Sequence, residues 1–128
     1  MLKLASKQGS VSKVEPYVEQ LVSRYNLEPD KKCNILVSLT EAVTNAIVHG
    51  NGMEEGKTVK VKTKRESDCL ALRVSDEGRG FDVNDLSDPT TPEHITECGG
   101  RGVFLMRQLS DNVRFYNNGS TVEMRFKL

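Results

Sequence analysis

The chain has 128 residues, and its 18 basic and 18 acidic side chains give a formal net charge of zero at pH 7. This length suits a single domain, residues 1–128, and the balanced charge provides no global field that would attract nucleic acid or an anionic membrane. The three cysteines are odd in number and far apart, and no window approaches the roughly 18 apolar residues of a membrane span, so we expect a cytoplasmic protein without disulfides, zinc or a membrane segment.

The first half of the chain predicts an edge strand followed by two helices. Residues 1–5 alternate enough for a short strand, and apolar residues recur at helical spacing from about Ser12 to Tyr25. Asp30 follows a turn and is placed to cap a second helix, which ends at residues 50–52. The apolar stripe of this second helix comprises Ile35, Leu39, Ala42, Val43, Ala46 and Ile47.

The second half predicts four strands and a third helix. Residues 103–109 show helical spacing, and residues 81–98 form a polar loop that is long enough to be functional. The resulting order β-α-α-β-β-loop-α-β-β indicates an α+β two-layer sandwich, with helices on one face of a mixed, mainly antiparallel sheet. The four strands are predicted over residues 58–65, 70–75, 112–116 and 121–128.

The second helix carries a polar stripe roughly opposite the apolar one. Glu41, Asn45 and His49 are each four residues apart, so they share one helix face. Such a stripe usually faces water. However, the amide oxygen of Asn45 is a ligand that suits Mg²⁺ beside nucleotide phosphates, and a carboxylate one turn away can accept a proton from a nucleophile.

Two glycine-rich segments follow the polar stripe. Asp76 follows an apolar strand, where its carboxylate could accept a hydrogen bond from the exocyclic amine of adenine, and Gly78 and Gly80 would let the backbone approach a flat base. Residues 99–102, Gly-Gly-Arg-Gly, precede an apolar helix and offer free backbone N–H groups to phosphates. Taken singly, these segments could be a plain turn and a flexible joint. Together and in this order, they predict an ATP pocket.

The three segments resemble those of the Bergerat-fold ATP-binding superfamily, which includes gyrase, histidine kinases and mismatch-repair ATPases. The chain is most similar to the small anti-sigma factor serine/threonine kinases of bacteria. The resemblance covers nearly the whole chain, and its most specific parts are residues 41–50 (Glu-Ala-Val-Thr-Asn-Ala-Ile-Val-His-Gly) and residues 100–111.

The resemblance implies a role for individual residues. Glu41 would be the general base, and Asn45 would hold Mg²⁺. Asp76 would bind the adenine amine and Gly78 and Gly80 would shape the base pocket, whereas Gly100, Arg101 and Gly102 would bind the phosphates. Residues 82–98 would form the ATP lid. A hydroxyl before the last strand would help to hold the base, and either Ser120 or Thr121 could serve. His49 receives no catalytic role.

The resemblance also implies a function. Proteins of this kind use ATP and Mg²⁺, bind a sigma factor, and phosphorylate an anti-anti-sigma protein of the STAS type, commonly as homodimers. An alternative is a non-catalytic ATP-binding module that binds a partner in a nucleotide-dependent way. The ATPase half of a histidine kinase would need a helical hairpin with a phosphoacceptor histidine, and a gyrase-like ATPase would need a transducer domain. We expect neither in this chain.

Overall fold

The computed structural model describes residues 1–52, 54, 56–78 and 98–128. Within this part of the chain, five strands form one sheet, and the helices cover one of its faces. The elements in chain order are β1 (Leu2–Ala5), a 3₁₀ turn (Gln8–Lys13), α1 (Val14–Tyr25), α2 (Pro29–Asn45), a π-helical turn (Ala46–Gly50), β2 (Thr58–Glu66), β3 (Cys69–Ser75), α3 (Cys98–Leu109), β4 (Asn112–Tyr116), a second 3₁₀ turn (Asn117–Gly119) and β5 (Thr121–Lys127).

The strand order is β1-β2-β3-β5-β4, so β1 and β4 form the edges of the sheet. Each neighbouring pair of described strands is antiparallel, including β1 with β2 and β3 with β5. The predicted α+β two-layer class is therefore confirmed, with the sheet antiparallel throughout the described strands rather than mixed. Short hairpin turns account for two of these pairs, β2 with β3 and β4 with β5, whereas β1–β2 and β3–β5 pair across connections that contain helices.

The core lies between the inner face of the sheet and the helices. On β2, Val59 and Val61 are fully buried, whereas the alternate residues point away from the helices. On α2, the predicted stripe of Ile35, Leu39 and Val43 is also fully buried. The alternating apolar residues of the strands and the apolar stripes of the helices thus pack in one apolar cluster. Among the described helices, none has the length and apolar character that crossing a membrane would require.

Two predicted helix starts differ from the structure in the first half of the chain. The helix expected from about Ser12 begins as a 3₁₀ turn, and α1 starts at Val14. The prediction that Asp30 caps α2 was wrong, because Glu28 occupies the N-cap position and Pro29 is the first helical residue. Proline favours that position because its fixed φ suits the helix. Asp30 lies in the first turn, where its carboxylate interacts favourably with the helix dipole.

The third helix begins earlier than predicted. We expected it over residues 103–109, but α3 starts at Cys98 and therefore includes Gly99, Gly100 and Gly102. Each glycine in a helix costs up to about 1 kcal/mol relative to alanine. The packing of α3 against α2 offsets that cost. The glycine segment is thus the first turn of a helix and not a loop before it.

Asn51, immediately after the π-helical turn, connects three separate parts of the fold. Its side chain is 1% exposed, and its Nδ2 donates to Ser6 Oγ at 2.6 Å and to the Thr58 carbonyl at 3.2 Å. Its Oδ1 accepts from the backbone N–H of Glu77 at 2.7 Å. This clamp fixes the end of α2 to the end of β1, the start of β2 and the segment after β3.

We expect Asn51→Ala to lower the free energy of unfolding by about 2–3 kcal/mol, because it removes one buried and two partly buried hydrogen bonds and leaves their partners unsatisfied. Urea denaturation would show this as a lower midpoint with an unchanged slope. The matched control is Asn34→Ala on α2, where the amide has no partner among the described residues and alanine favours the helix. An equal loss in both variants would contradict the clamp.

Candidate nucleotide-binding site

The segment after β3 holds a carboxylate in a confined position. The Asp76 backbone N–H donates to the Ser120 carbonyl at 2.9 Å, and its Oδ1 accepts from the N–H of Gly78 at 2.8 Å. Its other oxygen, Oδ2, makes no hydrogen bond within the described part of the chain. One oxygen therefore holds the loop in shape, and the other is available to accept a hydrogen bond from a ligand.

Two glycines make this confinement possible. A Cβ built on Gly50 would lie 2.2 Å from Asp76 Oδ2, and a Cβ built on Gly78 would lie 1.7 Å from the carbonyl oxygen of Gly50. Both distances are far below van der Waals contact, and in the second case the obstacle is backbone. Only glycine fits at these two positions, so the end of the π-helical turn and the loop after β3 touch through their main chains.

Partial burial of this carboxylate changes its acidity. Desolvation raises the pKa of Asp76, while the Gly78 N–H and the positive charge of Lys57 partly oppose that shift. A carboxylate that has lost some of its hydration gains more from a donor supplied by a ligand than an exposed one would. The exocyclic amine of adenine is a donor of this kind.

A narrow cleft with a cavity volume of about 20 Å³ lies between α2, the inner face of the sheet and α3. It brings together three predicted site residues, Asn45, Asp76 and Ser120, with an apolar floor. Such a floor suits a flat heterocycle, because apolar lining with a few placed polar groups is typical of ligand sites. The lining residues are Ala42, Asn45, Ala46, Val74, Asp76, Met106, Phe115, Gly119, Ser120 and Val122.

The polar stripe of α2 is only partly directed to this cleft. Asn45 lines it, whereas Glu41, half-buried one turn earlier, does not. Within the described residues, neither side chain has a hydrogen-bond or ion-pair partner. His49 is exposed and does not line the cleft. The π-helical turn from Ala46 widens the helix, so the four-residue spacing no longer keeps His49 in line with Asn45.

The two candidate hydroxyls before the last strand lie in different surroundings. Ser120 lines the cleft, and its Oγ donates to the Asn117 carbonyl at 2.9 Å. Thr121 does not line the cleft, and its Oγ1 donates to Ser75 Oγ at 3.1 Å. The register pairs Thr121 with Ser75 on the sheet face opposite the helices. The geometry therefore favours Ser120 for contact with a base.

The second glycine segment forms the first turn of α3. Gly100, Arg101 and Gly102 lie in this turn, where the initial backbone N–H groups of a helix have no intrahelical acceptor. Further along the helix, Met106 is buried and lines the cleft, so α3 forms one of its walls. Gly80 lies outside the described residues, as does the predicted lid up to residue 97.

Sequence reasoning missed two residues that hold the site in place. Asn51 fixes the Glu77 backbone, and the Glu77 carboxylate in turn accepts from the backbone N–H of Thr58. In the sequence, Asn51 stands between two glycines and looks like an ordinary turn residue. Its burial could not be inferred, because the partners are 45 and 26 residues away.

The donor set fits Mg²⁺ that arrives with a nucleotide. Among the described residues, no group of three His, Cys, Asp or Glu side chains could hold a metal ion alone. Asn45 nevertheless supplies an amide oxygen at the cleft that has no partner within the described part of the chain. Magnesium ions often bind through one or two protein oxygens, several waters and substrate phosphates. Asn45 is therefore the residue that would hold the ion.

Comparisons with known proteins show the family to which the chain is similar. The family model for the histidine kinase-like ATPase domain matches residues 4–126. Serine-protein kinases named RsbW are similar over 96% of this chain: the one from Listeria innocua is 29% identical with 83% of its length covered, and those from Bacillus subtilis and Bacillus velezensis are 29% and 30% identical with 81% covered.

Among solved structures, the histidine kinase domain of a blue-light activated histidine kinase from Erythrobacter litoralis EL346 has a TM-score of 0.63 at 19% identity. The match covers 90% of this chain and 61% of that one. At this identity it supports the fold alone. The family resemblance seen in the motifs is confirmed by these matches, and the chain belongs to the histidine kinase-like ATPase domain family.

Proposed function

We propose that this protein is an ATP-dependent anti-sigma factor with serine/threonine protein kinase activity. It would sequester a sigma factor and phosphorylate an anti-anti-sigma protein of the STAS type. The observation that carries the proposal is the position of Asn45 and Asp76 on one cleft, with Glu41 a single helical turn from Asn45. The relatives named serine-protein kinases support the same assignment.

In this proposal, each end of the nucleotide has its own group of residues. Asp76 Oδ2 accepts from the adenine amine, Gly78 and Gly80 allow the base to approach the backbone, and Ser120 contributes a hydroxyl at the cleft. The first turn of α3, with Gly100, Arg101 and Gly102, binds the phosphates through main-chain N–H groups. Thr121 takes no direct part, because it supports Ser75 on the other face of the sheet.

The proposed reaction transfers the γ-phosphoryl group of ATP to a partner hydroxyl. The hydroxyl oxygen forms a bond to phosphorus, the bond from phosphorus to the bridging oxygen of ADP breaks, and Glu41 accepts the hydroxyl proton. Bound Mg²⁺ supplies charge neutralisation at the phosphates. Asn45 would hold that ion beside the phosphates. We further propose that the protein acts in the cytoplasm as a homodimer.

A second candidate is a non-catalytic module that binds ATP and uses it to shape a partner surface. The position of Glu41 favours this alternative, because its side chain does not line the cleft. The two candidates share the nucleotide site and differ only in turnover. A test must therefore measure ATP binding and phosphotransfer separately.

Glu41→Gln should reduce phosphotransfer at least about 100-fold while leaving ATP affinity within about twofold, because only the proton acceptor is removed. The assay follows radiolabelled γ-phosphate from Mg-ATP to the anti-anti-sigma protein encoded nearest to this one. Glu15→Gln, on α1, is the matched control. Normal phosphotransfer by Glu41→Gln would contradict the assignment of the base. ATP binding without label on any partner Ser or Thr would favour the non-catalytic module.

Asp76→Asn should weaken ATP binding about tenfold, because the charge-assisted hydrogen bond to the adenine amine is lost. Isothermal titration calorimetry with Mg-ATP measures this directly. The Ser120→Ala variant should lose less, since a neutral hydroxyl makes the weaker contact. An unchanged ATP affinity in Asp76→Asn would contradict the assignment of Asp76 as the acceptor for the adenine amine.

The same substitution should change how stability depends on pH. Burial raises the pKa of Asp76 in the folded protein, so the folded state holds this proton more readily than the unfolded chain. The resulting stabilisation is complete below the unfolded pKa and disappears as the pH rises through the folded pKa. Relative to wild type, ligand-free Asp76→Asn should therefore gain stability as the pH rises across that interval. Urea titrations at several pH values would test this, and a parallel pH dependence for both proteins would contradict it.

A further inference from the structure

The face of the sheet opposite the helices carries an unusual concentration of positive charge. On β2, Lys60, Lys62 and Lys64 are exposed on this face, and the strand register aligns basic residues of the other strands beside them. We call this surface the basic sheet face. Its charged residues among the described strands are eight basic and two acidic ones: Lys3, Lys60, Lys62, Lys64, Arg73, Arg114, Arg125, Lys127, Glu66 and Glu123.

The basic sheet face includes like charges in direct opposition. Lys3 pairs with Lys60, and Lys62 pairs with Arg73, across adjacent antiparallel strands. Like charges in such positions destabilise a sheet. The chain as a whole has no net charge, so its composition does not force positive residues onto this face. Folding alone does not account for the arrangement.

The two glutamates of this face form ion pairs that hold two of its arginines in place. Arg73 Nη2 lies 2.9 Å from Glu123 Oε1, and Arg125 Nε lies 3.1 Å from Glu123 Oε2. Desolvation raises the pKa of Glu123, but hydrogen bonds from both arginines outweigh it and hold this pKa below its usual range. Arg125 also pairs with Glu66 at 3.1 Å. The two arginines thus have carboxylate partners and form a fixed platform.

Several lysines and one arginine around this platform lack such partners. Lys3, Lys60, Lys62 and Arg114 form no ion pair with any described residue. These cations retain their full capacity to bind a carboxylate. They surround the arginine platform, because Lys62 on β2 lies opposite Arg73 on β3, and Arg114 on β4 lies opposite Glu123 on β5.

A groove gives this surface a shape as well as a charge. It has a volume of about 230 Å³, and Lys62, Lys64 and Arg73 are among its lining residues. Ala71 lines it too, and the short side chain of Ala71 between long neighbours creates the depression. With strands about 4.8 Å apart, the five strands span roughly 20 Å. This width suits the docking of a protein segment.

We propose that the basic sheet face binds an acidic segment of a partner protein, with carboxylate side chains placed in the groove beside Lys62 and Lys64. The proposal is independent of the kinase activity. A carboxylate partner fits better than nucleic acid, because Glu66 at the groove and Glu123 beneath it interrupt the continuous positive track that neighbouring phosphates require. Carboxylates on a protein can be spaced to avoid both residues.

The test uses a fluorescent poly-L-glutamate peptide and measures its binding to the full chain by fluorescence anisotropy. Lys60→Glu/Lys62→Glu should weaken binding at least about tenfold. The same variant should not lower the melting temperature, because both like-charge cross-strand pairs become opposite-charge pairs. Loss of binding together with retained or increased stability is the expected signature, and a misfolded variant would not produce it.

The matched control is Lys13→Glu/Lys31→Glu, which changes the net charge equally but on the helical layer. It should leave peptide affinity within about twofold. An equal loss in the control would show that only net charge matters and would overturn the proposal. So would a lack of peptide binding by wild type, or tighter binding of duplex DNA or phosphatidylserine vesicles than of the peptide at the same salt concentration.

Discussion

The main-chain contact between Gly50 and Gly78 is the constraint on which the site depends. Because a Cβ at Gly78 would lie 1.7 Å from the Gly50 carbonyl oxygen, the end of the helical segment and the loop after β3 can meet only without side chains at these positions. Asp76 lies in the same confined space, 2.2 Å from where a Cβ of Gly50 would stand. The contact therefore fixes the carboxylate relative to the helix that carries Asn45.

The π-helical turn explains how α2 reaches this contact. A regular α-helix would keep residues four apart on one face. In the wider turn over Ala46–Gly50, the Asn51 N–H instead donates to the carbonyl five residues earlier, that of Ala46, at 2.8 Å. Single π-turns in helices are often found at functional sites. Here the turn leaves Asn45 at the cleft and brings the Asn51 amide to Ser6 and the Glu77 backbone. Local helix geometry and the long-range clamp therefore act together.

The two faces of the sheet have separate roles that follow from the alternation of side chains. On β5, Val122 and Met124 face the helices and the core, whereas Glu123 between them joins the arginines of the outer face. A strand can thus form the floor of the nucleotide cleft and a charged outer surface at once. A partner on the outer face would leave the cleft open, so nucleotide binding and docking need not compete sterically.

Much of the fold was predictable because it rests on local periodicity. The stripe of α2 and the alternation of β2 required only residues within one element, and both were confirmed. The cap of α2 and the start of α3 were missed for a different reason. Pro29, rather than a residue after Asp30, is the first residue of α2. Packing against α2 accompanies the extension of α3 toward its N-terminus, which includes Gly99. Asn51 was missed because its role depends on partners far away in the sequence.

One choice that stayed open in the sequence could have been resolved from it. Successive residues of a strand point to opposite faces, and the apolar residues Val122, Met124 and Phe126 identify the core-facing positions of β5. Thr121 has the opposite parity, so the alternation directs it to the outer face, as its register with Ser75 shows. Ser120 precedes the strand, with a helical backbone at the end of the 3₁₀ turn, and lines the cleft from there. The period of the strand therefore excludes one of two adjacent hydroxyls that motif comparison alone treats as equivalent.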